Sequence, residues 1–300
     1  MGTSCEGLQL LRLGGNAFEG GVPEAWAALR CLRTLSLERN RLAGDVGVWL
    51  WPALRGMAAL LHLDVGGNAF AGALPTGLAE AAPRLRTLRA GGNRLSGPIP
   101  DALGSLPALA VLELQNNGGL SGPIPPSLCE CEALETLCLN GNALTGPLPW
   151  GLCFYLPKLR QLFLAGNQLS GEIPDSIGQL GALEALNLGR NRFRGAIPVD
   201  ALGHCGALRS LCLHPNAFEL TERELVGVGE RLKARFGNKL SFLLPKASDT
   251  DAQLTEGHAL LRAAPRSGSP SPNKMLLVLD GGGGGGRAVA SPPPPIGLMR

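Results

Sequence analysis

Nine asparagines stand at nearly constant intervals through the first 216 residues of this 300-residue chain. They are Asn16, Asn40, Asn68, Asn93, Asn117, Asn142, Asn167, Asn191 and Asn216, separated by 24, 28, 25, 24, 25, 25, 24 and 25 residues. A period of roughly 20–50 residues marks stacked copies of one supersecondary unit, each too small to bury its own apolar side. The chain must therefore build its core between successive copies, along a line.

Upstream of each asparagine the same frame recurs. Apolar residues stand eight, five and three positions before it, as in Leu85, Leu88 and Ala90 before Asn93, or Leu159, Leu162 and Leu164 before Asn167. The last two alternate with period two, which predicts a short strand with one buried face. Downstream comes an apolar residue, then usually Gly, and in seven repeats an apolar-Pro pair such as Val22-Pro23 or Ile99-Pro100. Proline holds φ near −65° and keeps the preceding residue extended, so the chain leaves each strand by a rigid path. A looser stretch such as DALGSLPA then turns back to the next strand. In so tight a coil the backbone turns inward after the strand, and a side-chain amide can satisfy the N–H and C=O groups left there. The nine asparagines are thus expected to form a structural ladder.

The pattern LxxLxLxxNxLxGxIPxxLxxL, from Leu8 to about Phe218, resembles the plant-type leucine-rich repeat. Proteins with this repeat include the ectodomains of receptor-like kinases and the polygalacturonase-inhibiting proteins. The resemblance implies an α/β-type solenoid: a right-handed, curved leucine-rich-repeat superhelix. A parallel β-sheet would line its concave face, with short helical, 3₁₀ or extended segments on the convex face. At one strand spacing per coil, nine coils give a sheet roughly 40 Å long. Repeat two departs from the pattern, replacing its Ile-Pro exit with GDVGVWLWPALRGM, and repeat five carries an extra residue in NNGGLSG. Secreted members usually carry a cysteine-paired cap before the first coil, whereas only Cys5 precedes it here.

The expected organisation is a solenoid over 1–218, a capping helix and extended segment over 219–246, and a disordered Gly/Pro/Ser-rich tail over 247–300. Thr221 and Glu224 form a capping box, Leu225, Val228, Leu232 and Phe236 share one helical face, and Gly237 is a natural stop. Such a lid is what keeps the end of a solenoid soluble.

Within each strand, the residue between the last two framework positions points outward from the concave face. This column reads Arg12, Ser36, Asp64, Arg89, Glu113, Cys138, Phe163, Asn187 and Cys212. A constant frame carrying a varied column suits recognition of an extended partner, so the expected function is non-enzymatic binding of a protein or peptide. Phe163, the column's lone aromatic, is the expected anchor. Trp49 and Trp51 in the irregular second repeat form a second aromatic candidate. Trp26 and Trp150 follow apolar-Pro exits and are expected in or beside the core.

Catalytic chemistry finds little support. His204, Cys205, Cys212 and His214 have metal-ligating side chains but lack zinc-site spacing, so neither metal nor cofactor is expected. The tail stretch MLLVLDGGGGGGR lacks the Lys-Ser/Thr of a phosphate loop, and no Gly-x-Ser-x-Gly nucleophile exists. The net charge of +3 is dispersed, which argues against nucleic acid, and no stretch has the composition of a membrane span. PPPPIG at 292–297 has the composition of a polyproline II spacer or ligand.

Cys131 and Cys205 share one repeat slot and Cys138 and Cys212 another, as packing residues would. With no Asn-x-Ser/Thr acceptor and no signal-like segment at the N-terminus, a cytoplasmic, cytoskeleton-associated location is expected. The alternative is a truncated ectodomain, extracellular or membrane-tethered, in signalling or defence.

Overall fold

The computed structural model describes residues 5, 7–218, 222–237 and 241–243. The expected capping residue Thr221 and the whole tail, with its glycine and proline runs, lie outside the described residues.

The repeats build two parallel sheets. Nine three-residue strands, from Leu10–Arg12 through Thr87–Arg89 to Ser210–Cys212, stack in sequence order, and Ser241–Leu243 adds a tenth beside the last. Framework leucines pair in register through the stack: Leu63 with Leu88, Leu88 with Leu112, Leu137 with Leu162, Leu162 with Leu186. All six are almost fully buried. The core is thus a pile of leucine layers, each shared by neighbouring coils.

A second, eight-stranded sheet comes from the segment after each asparagine, from Glu19–Gly20 to Arg192–Arg194. Its register is staggered. The positive-φ glycine of one coil pairs with the apolar residue of the next: Gly72 with Leu95, Gly97 with Leu120, Gly122 with Leu144, Gly171 with Phe193. A side chain at these glycines would be strained, whereas the partner's side chain can turn into the core.

The asparagine amides tie the coils together. Nδ2 of Asn167 donates to the carbonyls of Leu164 (2.9 Å) and Leu139 (3.0 Å), while its Oδ1 accepts from the Leu144 N–H at 3.0 Å. From Asn40 onward each amide therefore closes its own turn and clamps the preceding coil. Asn142 shows the effect of the inserted residue in repeat five: its Oδ1 accepts from Gly118 N–H (3.2 Å) and Asn117 N–H (3.3 Å). The insertion has moved Leu120 one residue out of reach.

The return segments are 3₁₀ turns such as Asp101–Ser105 and Asp175–Gln179, or single α-turns such as Leu78–Ala81 and Leu152–Tyr155. Cys131 and Cys205, both fully buried, donate their thiols to the equivalent carbonyl of the preceding coil, Leu103 (3.4 Å) and Ile177 (3.2 Å). In repeat two the irregular insert forms the short helices Val46–Trp49 and Trp51–Leu54, and the Asp45 carboxylate caps the first by accepting from Gly47 N–H at 2.7 Å. After the last repeat, the helix Glu222–Phe236 buries Val228 and Leu232 and rests Phe236 against the core, ending at the positive-φ Gly237.

Candidate functional site

The concave face carries the predicted column across nine adjoining strands, in one continuous register from Arg12 against Ser36 to Asn187 against Cys212. Exposure along it is uneven. Arg12 is exposed, Ser36, Asp64, Arg89, Glu113, Phe163 and Cys212 are half-buried, and Cys138 and Asn187 are almost covered at 8% and 7%. Phe163 sits between Cys138 and Asn187 in register, so the column's aromatic ring stands beside its two least exposed members.

The charged members are held by local bonds. Arg89 Nε lies 3.1 Å from Glu113 Oε1 in the neighbouring coil, an ion pair that stays partly open to solvent. Asp64 Oδ1 accepts from Gly66 N–H at 3.0 Å, and burial raises its carboxyl above the ordinary value. Glu38 and Glu113 push the same way, while the Gly66 hydrogen bond and Arg89 oppose them. Asn187 Oδ1 likewise accepts from Gly189 N–H at 3.2 Å. Burial, then Glu113, drives the Cys138 thiol up to about 12, so it stays protonated and unreactive at neutral pH.

Sequence reasoning by single column missed the side chains that complete this surface. Ser36 Oγ donates to Glu38 at 2.5 Å, and His62 Nδ1 and Thr87 Oγ1 lie 3.1 Å apart. The His62 ring is held below its usual pKa by partial burial and by Arg86 and Arg89. Gln115 lies across Gly91. Glu38, His62, Thr87 and Gln115 fill the slots two positions before the asparagine or six before it, and reading those parallel columns would have found them. The column divides into a charged half, Arg12 to Glu113, and an uncharged half, Cys138 to Cys212.

Elsewhere, Trp51 is half-buried against the core; the Trp49 side chain lies outside the described residues, although its backbone is helical. Trp26 packs against the core as expected, but Trp150 does not: it is 70% exposed. Its repeat slot faces outward, as Asp101 and Asp175 in the same slot also show. Among the described residues no three His, Cys, Asp or Glu side chains gather as a metal site, and no helix is long and apolar enough to cross a membrane.

A family model described as Leucine Rich Repeat matches residues 84–106 and 158–180. A comparison with curated proteins gave no match. Among solved structures, the Arabidopsis receptor kinase HAESA, in complex with the peptide hormone IDA and the co-receptor SERK1, matches 71% of this chain at 29% identity. The match has a TM-score of 0.64 and covers 34% of HAESA. A TDR receptor matches 81% of the chain at 27% identity and TM-score 0.62, over 43% of its own length. The ectodomain of the membrane receptor kinase GASSHO1/SCHENGEN3 from Arabidopsis thaliana, in complex with CASPARIAN STRIP INTEGRITY FACTOR 2, matches 76% at 30% identity and TM-score 0.51, over 32% of its length. The chain thus spans from about 32% to 43% of the length of these receptors.

These matches overturn the expected cytoplasmic, cytoskeleton-associated location. The similar chains are plant receptor domains, and they point to an extracellular or membrane-tethered setting. The expectation rested on cysteines placed as packing residues, on the lack of an Asn-x-Ser/Thr acceptor and on the N-terminal segment, and none of these fixes a compartment. Burial lifts the thiols of Cys129, Cys131 and Cys205 to about 11, and buried, protonated thiols persist in either compartment. The repeat frame, the two parallel sheets and these matches together show a leucine-rich-repeat solenoid, similar to the ectodomains of plant receptor kinases.

Proposed function

We propose that this protein binds an extended peptide or protein segment along its concave sheet, outside the cell or tethered to its surface, in a recognition role without catalysis. The observation that carries this reading is the column itself, whose side chains vary along an unvarying leucine and asparagine frame. The complex of HAESA with the peptide hormone IDA supports a peptide as the ligand class. Phe163 would anchor the apolar end of the ligand, and the Arg89–Glu113 pair would set the register of its charged end.

The test is selection of a displayed random-peptide library against the protein, followed by calorimetric titration of the selected peptides. Phe163→Ala and Arg89→Glu should each weaken binding at least ten-fold while the chain stays folded. The exchange Arg89→Glu with Glu113→Arg keeps an ion pair but reverses its polarity, and should not restore affinity. Unchanged binding in both single variants would move the site off this column.

A further inference from the structure

The convex side carries a feature that the concave reading does not use. Trp150, Phe154 and Tyr155 are 70%, 54% and 52% exposed, in a chain with only 13 aromatic residues. Repeat six has one residue more than repeat seven between the asparagine and the next framework leucine, Asn142 to Leu156 against Asn167 to Leu180. The extra residue makes the return segment a single α-turn, Leu152–Tyr155, in which Leu152 and Cys153 face the core and Phe154 and Tyr155 face solvent. Trp150 packs against the other two rings. Trp150 meets Tyr155 edge to face, with centroids 5.9 Å apart at 71°, and Phe154 at 6.4 Å and 56°. The cluster is ordered before any partner arrives, which is how rigid aromatic anchors limit the entropy lost on binding.

We propose that this cluster is a second docking site, for an extended basic segment of a partner protein, with an arginine or lysine laid on Trp150. The charge around the rings selects the occupant. The α-turn packs between the return segments of repeats five and seven. Glu130 precedes Phe154 in its repeat slot, and Asp175 follows Trp150 in its own. Both acids are exposed, and neither is ion-paired among the described residues. Aromatic faces between acids favour a cation, best a guanidinium, whose charge faces the carboxylates while its plane covers the indole.

Other occupants fit less well. At roughly 350 Å² of exposed ring surface, the patch falls well short of the ~800 Å² per partner of a stable dimer. An anionic membrane surface would be repelled by Glu130 and Asp175. Rings inclined at 56° and 71° also make no flat platform for a sugar chain.

The probes are three fluorescein-labelled decapeptides, alternating Arg-Pro, alternating Glu-Pro and all-Pro, titrated by fluorescence anisotropy into the full chain. The Arg-Pro peptide should bind at least ten-fold more tightly than the other two. Trp150→Ala should weaken it at least ten-fold and Asp175→Lys several-fold, with both melts unchanged because both side chains are exposed. Phe163→Ala, on the concave sheet, should leave it unaffected. Equal binding of the three peptides, no binding of Arg-Pro, or indifference to Trp150→Ala would overturn the proposal. Trp150-dependent dimerisation in sedimentation would do so as well, by assigning the patch to a second copy.

Discussion

The side-chain amide of Gln115 lies flat on Gly91, one coil upstream: a Cβ built on Gly91 would stand 2.6 Å from Gln115 Cδ. A long side chain in one coil thus covers a residue with none in the coil before. The obstacle at Gly91 is the mobile end of a side chain. At Gly104 it is backbone, since a Cβ there would stand 2.5 Å from the Ser127 carbonyl carbon. Gly104→Ala should therefore cost about 1–3 kcal/mol by overpacking. Gly91→Ala should cost less than half as much, with Gln115 swinging into solvent. Urea denaturation of the two variants in parallel measures the difference.

Asp64 should make stability depend on pH in an uncommon direction. Its folded pKa is raised, so the folded state holds the proton more tightly than the unfolded chain does. Stability from this group is present at pH values below the unfolded carboxylate pKa and is lost as pH rises through the folded one. Asp64→Asn keeps an acceptor for Gly66 N–H and removes the buried charge. It should raise Tm at pH 7, and the gain should close as pH falls below the usual carboxylate range. Melts of both proteins from pH 3 to 7 would show this.

The asparagine ladder should be strong in the middle and weak at its start. Asn167→Ala leaves the Leu144 N–H without its partner and takes one of two amide donors from the Leu139 and Leu164 carbonyls, which keep Asn142 and Asn191, at a cost of about 1–3 kcal/mol. Asn16 is exposed and its amide reaches only the Leu13 and Gly14 carbonyls of its own coil, so Asn16→Ala should change stability by less than about 0.5 kcal/mol. Equal losses in chemical denaturation would show that the clamp between coils contributes nothing.

The leucine stack has a thin layer. Ala90 holds a framework position occupied by leucine in most other coils, and a cavity of about 20 Å³ lies beside it, lined among others by Val65, Phe70, Leu88 and Trp51. Ala90→Val should raise Tm by filling it. Leu162→Ala, at a fully buried layer, should instead cost about 2–5 kcal/mol. If Ala90→Val lowers Tm, the surrounding layer is already packed tight.

What could be read from the chain alone was whatever repeats. Each coil meets the same neighbours, so one period carries both the local structure and the long-range contact, and the asparagine spacing leads directly to strand order and core. The concave column followed from strand alternation for the same reason. What the period does not carry was decided by tertiary structure: the stagger of the second sheet, the near burial of Cys138 and Asn187, and the outward turn of Trp150, Phe154 and Tyr155. Each depends on how one coil sits on the next. A single added residue, as in repeats five and six, changes that fit without disturbing the leucine frame: the frame is held by burial, while the outward slots are left to neighbouring side chains and solvent.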